Sequence, residues 1–405
     1  MSHLSREDAT RNMNRPSPSR LFSGWMSTTI VYLAFAATGV GMALPGSVLP
    51  ALLVRLSLAD SQAGLLFFLG WLGSSLGALL VHRSRTRSVA YGSALIALGA
   101  FGMAYGVDRF RWASFGWMAI FGLGLGTTMT SINLLQAGRH FERRGAELNR
   151  LNLVWSIGAC ACPTLAAHSL RVMDVRTIFS VVAAFFALVA LWAATAERDL
   201  ATIVVSADER AGNWSLRRIR NLALWPLSLV IVIFLPTGIE SSTGGWIAAY
   251  VQRTQQTITT TVTAGTCFWV GLMLSRLLSS TVLLIRRSER LVLTQSLCTV
   301  VLGTLLLISS TASLGILPGV FLVGFGLGPV YPMLLAIALQ YSENTLIFFV
   351  AGLGSAFLPW LTGILSSATA SLRLGLLVPF AASVLMLALG LRQIITDRDH
   401  RISRT

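Results

Sequence analysis

Glu240 and Arg276 are the only ionisable residues lying deep inside the long apolar stretches of this chain. A charge at the centre of a bilayer costs about 2.5–3.5 kcal/mol on insertion scales, so its retention there points to a task. The chemistry open to the two residues is recognition of a polar solute, loading and release of a proton, or gating by an ion pair. A structural pair locking neighbouring helices is the plainer alternative. Around Glu240 the order Pro236-Thr237-Gly238-Ile239-Glu240-Ser241-Ser242-Thr243-Gly244-Gly245-Trp246 predicts a helix broken or kinked at Pro236 and at the glycine pair. Backbone opened at that depth must face a wet cavity or protein. Trp246 and Tyr250, four residues apart, share one helix face. Their rings suit the faces of a sugar-like ligand, or equally an interfacial aromatic belt.

A second set of candidates is made of amides. Asn149, Asn152 and Ser156 fall on one helical face with Trp155 beside it, and Asn133 and Gln136 fall on another. Amide side chains donate and accept at once, which suits neutral, hydroxyl-rich ligands. Hydrogen bonding between helices, worth about 0.6 kcal/mol on average, is the competing use. Trp269, seven residues before Arg276, completes the candidate substrate-binding set; Glu240 and Arg276 are also the coupling or gating candidates.

Other chemistry has no visible carrier. The Gly-x-Gly-x-Gly runs at 122–126 and 324–328 lack the strand that a dinucleotide loop needs, and close helix packing explains them better. His3, His82, His140, His168 and His400 sit in tails or near the ends of apolar runs. No HExxH, GxSxG or intramembrane Asp pair occurs, so no catalytic residue, metal site or cofactor is expected. Cys160, Cys162, Cys267 and Cys298 read as small buried hydrophobes, not as a disulfide or zinc framework.

Those residues need elements to hold them. Hydrophobic residues make up 54% of the 405 and charged residues only 12%, about half the charge of a soluble domain. Apolar runs occur near 23–54, 61–82, 88–106, 112–136, 149–168, 177–195, 222–251, 258–285, 290–309, 314–339, 345–367 and 374–391. Each is long enough to cross a bilayer as a helix, and lipid leaves an isolated segment no other choice. The predicted class is an all-α integral membrane protein with twelve transmembrane helices.

The net charge of +15 contains no lysine; all 31 basic residues are arginine. Twenty-three of them fall in alternate gaps with the two tails, seven fall on the opposite side, and Arg276 lies within a span. That bias places both termini in the cytoplasm and argues against nucleic-acid binding, since no soluble basic domain is present. Residues 1–20 read as a disordered cytoplasmic tail, 196–221 as a polar cytoplasmic linker and 393–405 as a second tail. They flank a six-helix unit over 21–195 and another over 222–392.

The two units repeat. Ala63-Gly64-x-x-Phe67-Phe68-x-Gly70 returns as Ala264-Gly265-x-x-Phe268-Trp269-x-Gly271. Gly122-x-Gly124-x-Gly126 returns as Gly324-x-Gly326-x-Gly328, and Gly158 with Pro163 as Gly354 with Pro359. Three matches about 200 positions apart, in corresponding helices, indicate duplication into pseudo-symmetric halves.

These features together resemble the major facilitator superfamily over essentially the whole chain after residue 20. Within it, Leu151-Asn152-x5-Gly158-x4-Pro163, Glu240-x5-Trp246-x3-Tyr250 and Gly271-x4-Arg276 are similar to the fucose-permease-like sugar transporters. That branch usually has a His where Trp155 stands. The superfamily's Asp-Arg core between helices two and three is also missing here: Gly77 leads to Val81 and His82, then to Arg83, Arg85 and Arg87. Proton-coupled sugar members carry acids in helices one and four, and this chain has none in either. The resemblance implies alternating access by a monomer in a bacterial inner-membrane type of cell membrane, surrounded by lipid. The cargo would be a small polar solute, a sugar first, with a proton or other cation as candidate co-substrate. Export of amphipathic compounds and a non-transporting sensor or scaffold are the alternative readings; an enzyme is not expected.

Overall fold

A computed structural model of the chain describes residues 18–81, 84–106, 110–139, 144–200, 227–254, 256–279, 289–341 and 346–402. The described residues form twelve long helices. In the first half they are α1 (Pro18–Ser47), α2 (Asp60–Leu79), α3 (Arg85–Phe101), α4 (Ala113–Arg139), α5 (Arg144–Val172) and α6 (Val175–Leu200). The second half has α7 (Leu227–Arg253), α8 (Ile258–Leu278), α9 (Glu289–Ser309), α10 (Ser313–Tyr341), α11 (Leu346–Thr369) and α12 (Leu377–Ile402). A short helix, Leu49–Leu56, prolongs α1 beyond Pro45, and a π-turn over Gly102–Gly106 closes α3. Eleven of these helices are long and apolar enough to cross a membrane. The twelfth, α7, has 27 residues, about 40 Å of helix and so also long enough to cross a bilayer.

Lipid supplies no hydrophobic drive between helices, so small residues and close backbone approach must hold them together. The glycine repeats do this symmetrically. In α4, Gly122 and Gly126 lie against the backbone of α2 at Gly70 and Ser74, while Gly124 faces Ile96 of α3. In α10, Gly324 and Gly328 lie against α8 at Phe268 and Ser275, while Gly326 faces Val300 of α9. Each triplet thus wedges its helix between two partners, and the two bundles are built alike. Across the seam between bundles, α2 packs on α11, α5 on α8, and α1 on α7.

The turns after α1, α3, α7, α9 and α11 interlock on one face, called here the far face; the chain starts at the near face. Arg55 donates to the carbonyls of Met103 (3.3 Å) and Ala104 (2.7 Å). Arg111 reaches the Ser57 carbonyl at 3.4 Å, and Gln256 Nε2 that of Thr311 at 3.1 Å. Arg373 caps the end of α9 through Ile308 and Ser309.

Several expectations change. α7 is continuous: the expected break at Pro236 and Gly244-Gly245 does not occur. Thr237 Oγ1 reaches both the Phe234 carbonyl of its own turn (3.1 Å) and the Ala351 carbonyl of α11 (2.5 Å), which steadies the helix around the proline. The glycine pair serves close packing against Gly46 and Phe67 instead. Helix α1 begins at Pro18 and α12 continues to Ile402, so the tail boundaries at 20 and 393 fall within helices. α6 runs to Leu200, into the expected linker; 201–226, like 1–17, lies outside the described residues. The cysteines are not uniformly buried. Cys298 is exposed, Cys160 and Cys267 are intermediate, with Cys160 packed against the core, and only Cys162 is buried.

Candidate functional site

The two intramembrane charges meet. Arg276 Nη2 of α8 lies 3.6 Å from Glu240 Oε2 of α7, with side-chain exposures of 22% and 18%. That spacing makes an ion pair without a hydrogen bond. The carboxylate and guanidinium therefore keep acceptor and donor capacity for a third party. Trp155 of α5 brings the first half to this pair: the Arg276 guanidinium lies 5.9 Å from its ring centroid. The same indole meets Trp269 of α8 edge to face, with centroids 5.8 Å apart.

Two buried polar atoms beside this cluster lack hydrogen-bond partners, Trp155 Nε1 and Thr243 Oγ1. Thr243 stands three residues after Glu240, on the same side of α7. An orphaned donor in a dry interior costs about 1–3 kcal/mol, a cost that a bound hydroxyl or water would remove. Tyr331 of α10 lies within electrostatic reach of both Glu240 and Arg276. Sequence reasoning missed Tyr331 and Thr243 because a lone Tyr within an apolar helix and a Thr in a polar run carry no periodic signal.

The other expected residues divide. Trp246 is fully buried, and its Nε1 donates to the Pro359 carbonyl at 3.0 Å. Tyr250 is buried too, with its hydroxyl 2.9 Å from the Ser310 carbonyl and 3.1 Å from that of Leu307. Both polar tips are thus occupied by protein, and in this conformation neither residue offers a ligand surface. Asn133 Nδ2 donates to Met129 of its own helix at 3.0 Å. Gln136 is buried with neither amide atom bonded. Asn152 is exposed, one turn nearer the near face than Ser156, whose Oγ donates to the Asn152 carbonyl at 2.8 Å. Asn133, Gln136 and Asn152 make no hydrogen bond to the charged pair, and the Asn149 side chain lies outside the described residues.

At the far face the seam is shut. Arg253, the last residue of α7, grips Asp60, the first of α2, through two 2.6 Å hydrogen bonds. Ser366 of α11 adds a third bond to Asp60 Oδ2, and the Ser61 amide donates to Ser367 Oγ at 2.8 Å. Beneath this latch Phe67 of α2 meets Trp246 edge to face at 5.8 Å. Phe68 packs between Phe357 (5.1 Å) and Trp360 (5.2 Å) of α11. A charged pair of the second bundle that meets Trp155 of the first, with the far face shut by contacts between the bundles, fits the layout of an alternating-access carrier.

The family model for the Major Facilitator Superfamily matches residues 31–347. The chain belongs to that superfamily. Its members are transporters, and the chain is a secondary transporter by family. No curated protein matches the chain by sequence. Among solved structures, it is similar to the nucleoside transporter NupG, with TM-score 0.67 and 13% identity over 91% of this chain and 97% of that one. It is similar to the xylose transporter XylE from E. coli in a partially occluded inward-open conformation (0.66, 14%, 90% and 97%). It is similar too to a bacterial homologue of the human drug peptide transporters PepT1 and PepT2 (0.65, 15%, 93% and 99%). At these identities the likeness shows the fold alone.

Proposed function

We propose that this superfamily member carries a small neutral polyhydroxy solute, a sugar first, through a midplane site formed by Glu240, Arg276, Trp155, Trp269 and Tyr331. The observation that carries the reading is the loose 3.6 Å pair beside the unpartnered Trp155 indole NH. A hydroxyl is donor and acceptor at once, so one sugar can satisfy the carboxylate, the guanidinium and the indole together, while the indole rings cover its apolar faces. The likeness of the Asn152, Glu240 and Arg276 strings to fucose-permease-like transporters favours the same cargo class, and the XylE-like fold is compatible with it. Glu240 is the coupling candidate, since it is the only acid at that depth.

Orientation follows from arginine counting: the near face, with the tails and the 196–221 segment, is cytoplasmic in a bacterial inner membrane. The Asp60–Arg253 latch then closes the outside, and the chain works as a monomer. The test is calorimetric titration of the purified protein with monosaccharides, nucleosides and amphipathic cations. Saturable binding of a monosaccharide that is lost in Trp155→Ala supports the proposal. Binding of amphipathic cations with no sugar response would replace it with the exporter reading.

A further inference from the structure

A small polar recess lies toward the near face of the second bundle, between α8, α9 and α10. It has a volume of about 70 Å³, and its lining includes Ser275, Ser279, Ser296, Thr299, Phe325 and Pro329. Two glycines of α10 frame it, Gly328 against Ser275 of α8 and Gly326 against Ser296 of α9. The repeat shows that such a gap is not the packing default. Gly126 corresponds to Gly328, so Thr127 corresponds to Pro329 and Leu123 to Phe325. In the first bundle Thr127 Oγ1 reaches the Leu123 carbonyl at 2.8 Å and the Gly77 carbonyl at 2.9 Å. Gly77 lies against the main chain of Leu123 and Thr127 with no room for a β-carbon, so that junction is closed. Pro329 supplies neither a hydroxyl nor an amide hydrogen, and the Phe325 carbonyl loses its helix donor.

The recess is rich in oxygen lone pairs. Ser279 Oγ donates to the Arg276 carbonyl at 3.1 Å, and Thr299 Oγ1 to that of Gln295 at 2.7 Å. Each of these hydroxyls has committed its one hydrogen and keeps its acceptor capacity. The Ser275 and Ser296 hydroxyls are more than nine-tenths buried and make no hydrogen bond to any described residue. Together with the freed Phe325 carbonyl, oxygens from three helices surround a space for roughly two water-sized bodies. We infer that this recess binds one sodium ion. Hard oxygen donors suit such an ion, and carriers hold Na+ with main-chain carbonyls released from helix bonding. No carboxylate lines the space, so a divalent ion lacks the acidic ligands it takes, and the small volume disfavours the larger potassium ion. The bound ion braces the turn of α8 that carries Arg276, since Ser279 is bonded to that residue's carbonyl. The site rests on packing within the second bundle and not on the cargo.

The experiment is melting of the purified full chain in sodium, potassium or choline chloride at equal ionic strength, with sodium titrated into choline to find its half-effect. Sodium should raise Tm saturably above the choline baseline, and potassium should not. Ser275→Ala and Thr299→Val each remove one oxygen with little change of shape. Each should raise the sodium concentration for half-effect about tenfold, the weight of one contact to a charge. Pro329→Ala removes no side-chain oxygen but returns a donor to the Phe325 carbonyl, and it should weaken the sodium response as well. If either hydroxyl variant melts early in choline, Pro329→Ala gives the same readout in a helix made firmer by the change. Equal Tm in all three salts, a potassium response matching that of sodium, or a sodium response unchanged in all three variants would each overturn the assignment.

Discussion

Asp60 and Arg253 form a two-pronged ion pair, 2.6 Å on each prong, that joins the first residue of one helix in the N-terminal half to the last residue of a helix in the C-terminal half. Asp60 is 11% exposed and Arg253 43%, so solvent screens part of the attraction. The pair should favour the closed far face by about 1–2 kcal/mol, a factor of roughly 5–30 in population. Asp60→Asn should therefore open that face more often. A membrane-impermeant maleimide acting on Thr243→Cys, a buried position on the seam side of α7, should react at least fivefold faster when Asp60→Asn is added. An unchanged rate would show that the latch does not set the equilibrium.

Glu240→Gln separates coupling from architecture. The pair with Arg276 is long and partly exposed, so breaking it should cost well below the 3–5 kcal/mol of a dry buried pair. The variant should fold with a modest loss of Tm. In proteoliposomes it should exchange substrate across the membrane yet fail to accumulate it against a gradient. Proton-driven accumulation in a well-folded Glu240→Gln protein would remove Glu240 from the coupling step.

Two tryptophans nine-tenths buried should respond in opposite ways. Trp246→Phe deletes an indole NH that is bonded to Pro359, so it should lower stability by about 1 kcal/mol and leave solute affinity nearly unchanged. Trp155→Phe deletes an indole NH with no protein partner. It should preserve or raise stability while weakening solute binding several-fold. Melting curves and titrations on both variants make the comparison, and a destabilised Trp155→Phe with full affinity would exclude the indole from the site.

Gly122→Ala places a methyl group against the Gly70 backbone, which cannot rotate away, whereas Gly116 has open space around the same position. The first substitution should lower Tm by several degrees or prevent insertion. The second should be neutral or stabilising, by up to about 1 kcal/mol from helix propensity. Equal effects would contradict the packing assigned to the repeat.

Topology reporters give an independent check. Fusions at residues 210 and 400 should both read cytoplasmic, as the arginine bias requires. Opposite readings for the two would end the twelve-helix arrangement.

The fold was legible because its signals are long and redundant. Twelve apolar runs and the paired Gly-x-Gly-x-Gly triplets each repeat the same constraint, and the triplets predict helix wedging that the backbone contacts bear out. The meeting of Glu240 and Arg276 was within reach of sequence, since two opposite charges in lipid seek each other. Which aromatic residues join the charged pair was not. Trp155 and Trp246 look alike in sequence, and only the tertiary partners, none for one indole NH and Pro359 for the other, tell them apart. The far-face arginines posed a similar problem. Arg55, Arg253 and Arg373 count against the charge bias, yet each has a carbonyl or carboxylate partner distant in sequence. The apparent break in α7 misled because Pro236 and Gly244 are ambiguous locally; bonds to α11 and close packing decided their role.

Below the Asp60–Arg253 latch, Gly46 of α1 meets the main chain of Gly244 and Gly245 in α7 so closely that α1 has no room there for a β-carbon. Contact of main chain with main chain has no rotamer to flip and no side chain to swing aside. Solvent can enter between these helices only when one whole bundle rolls away from the other. At this depth the far mouth must open as a hinged block and not as a flap, and the loose Glu240–Arg276 pair, wholly within the second bundle, can ride through that rotation unbroken.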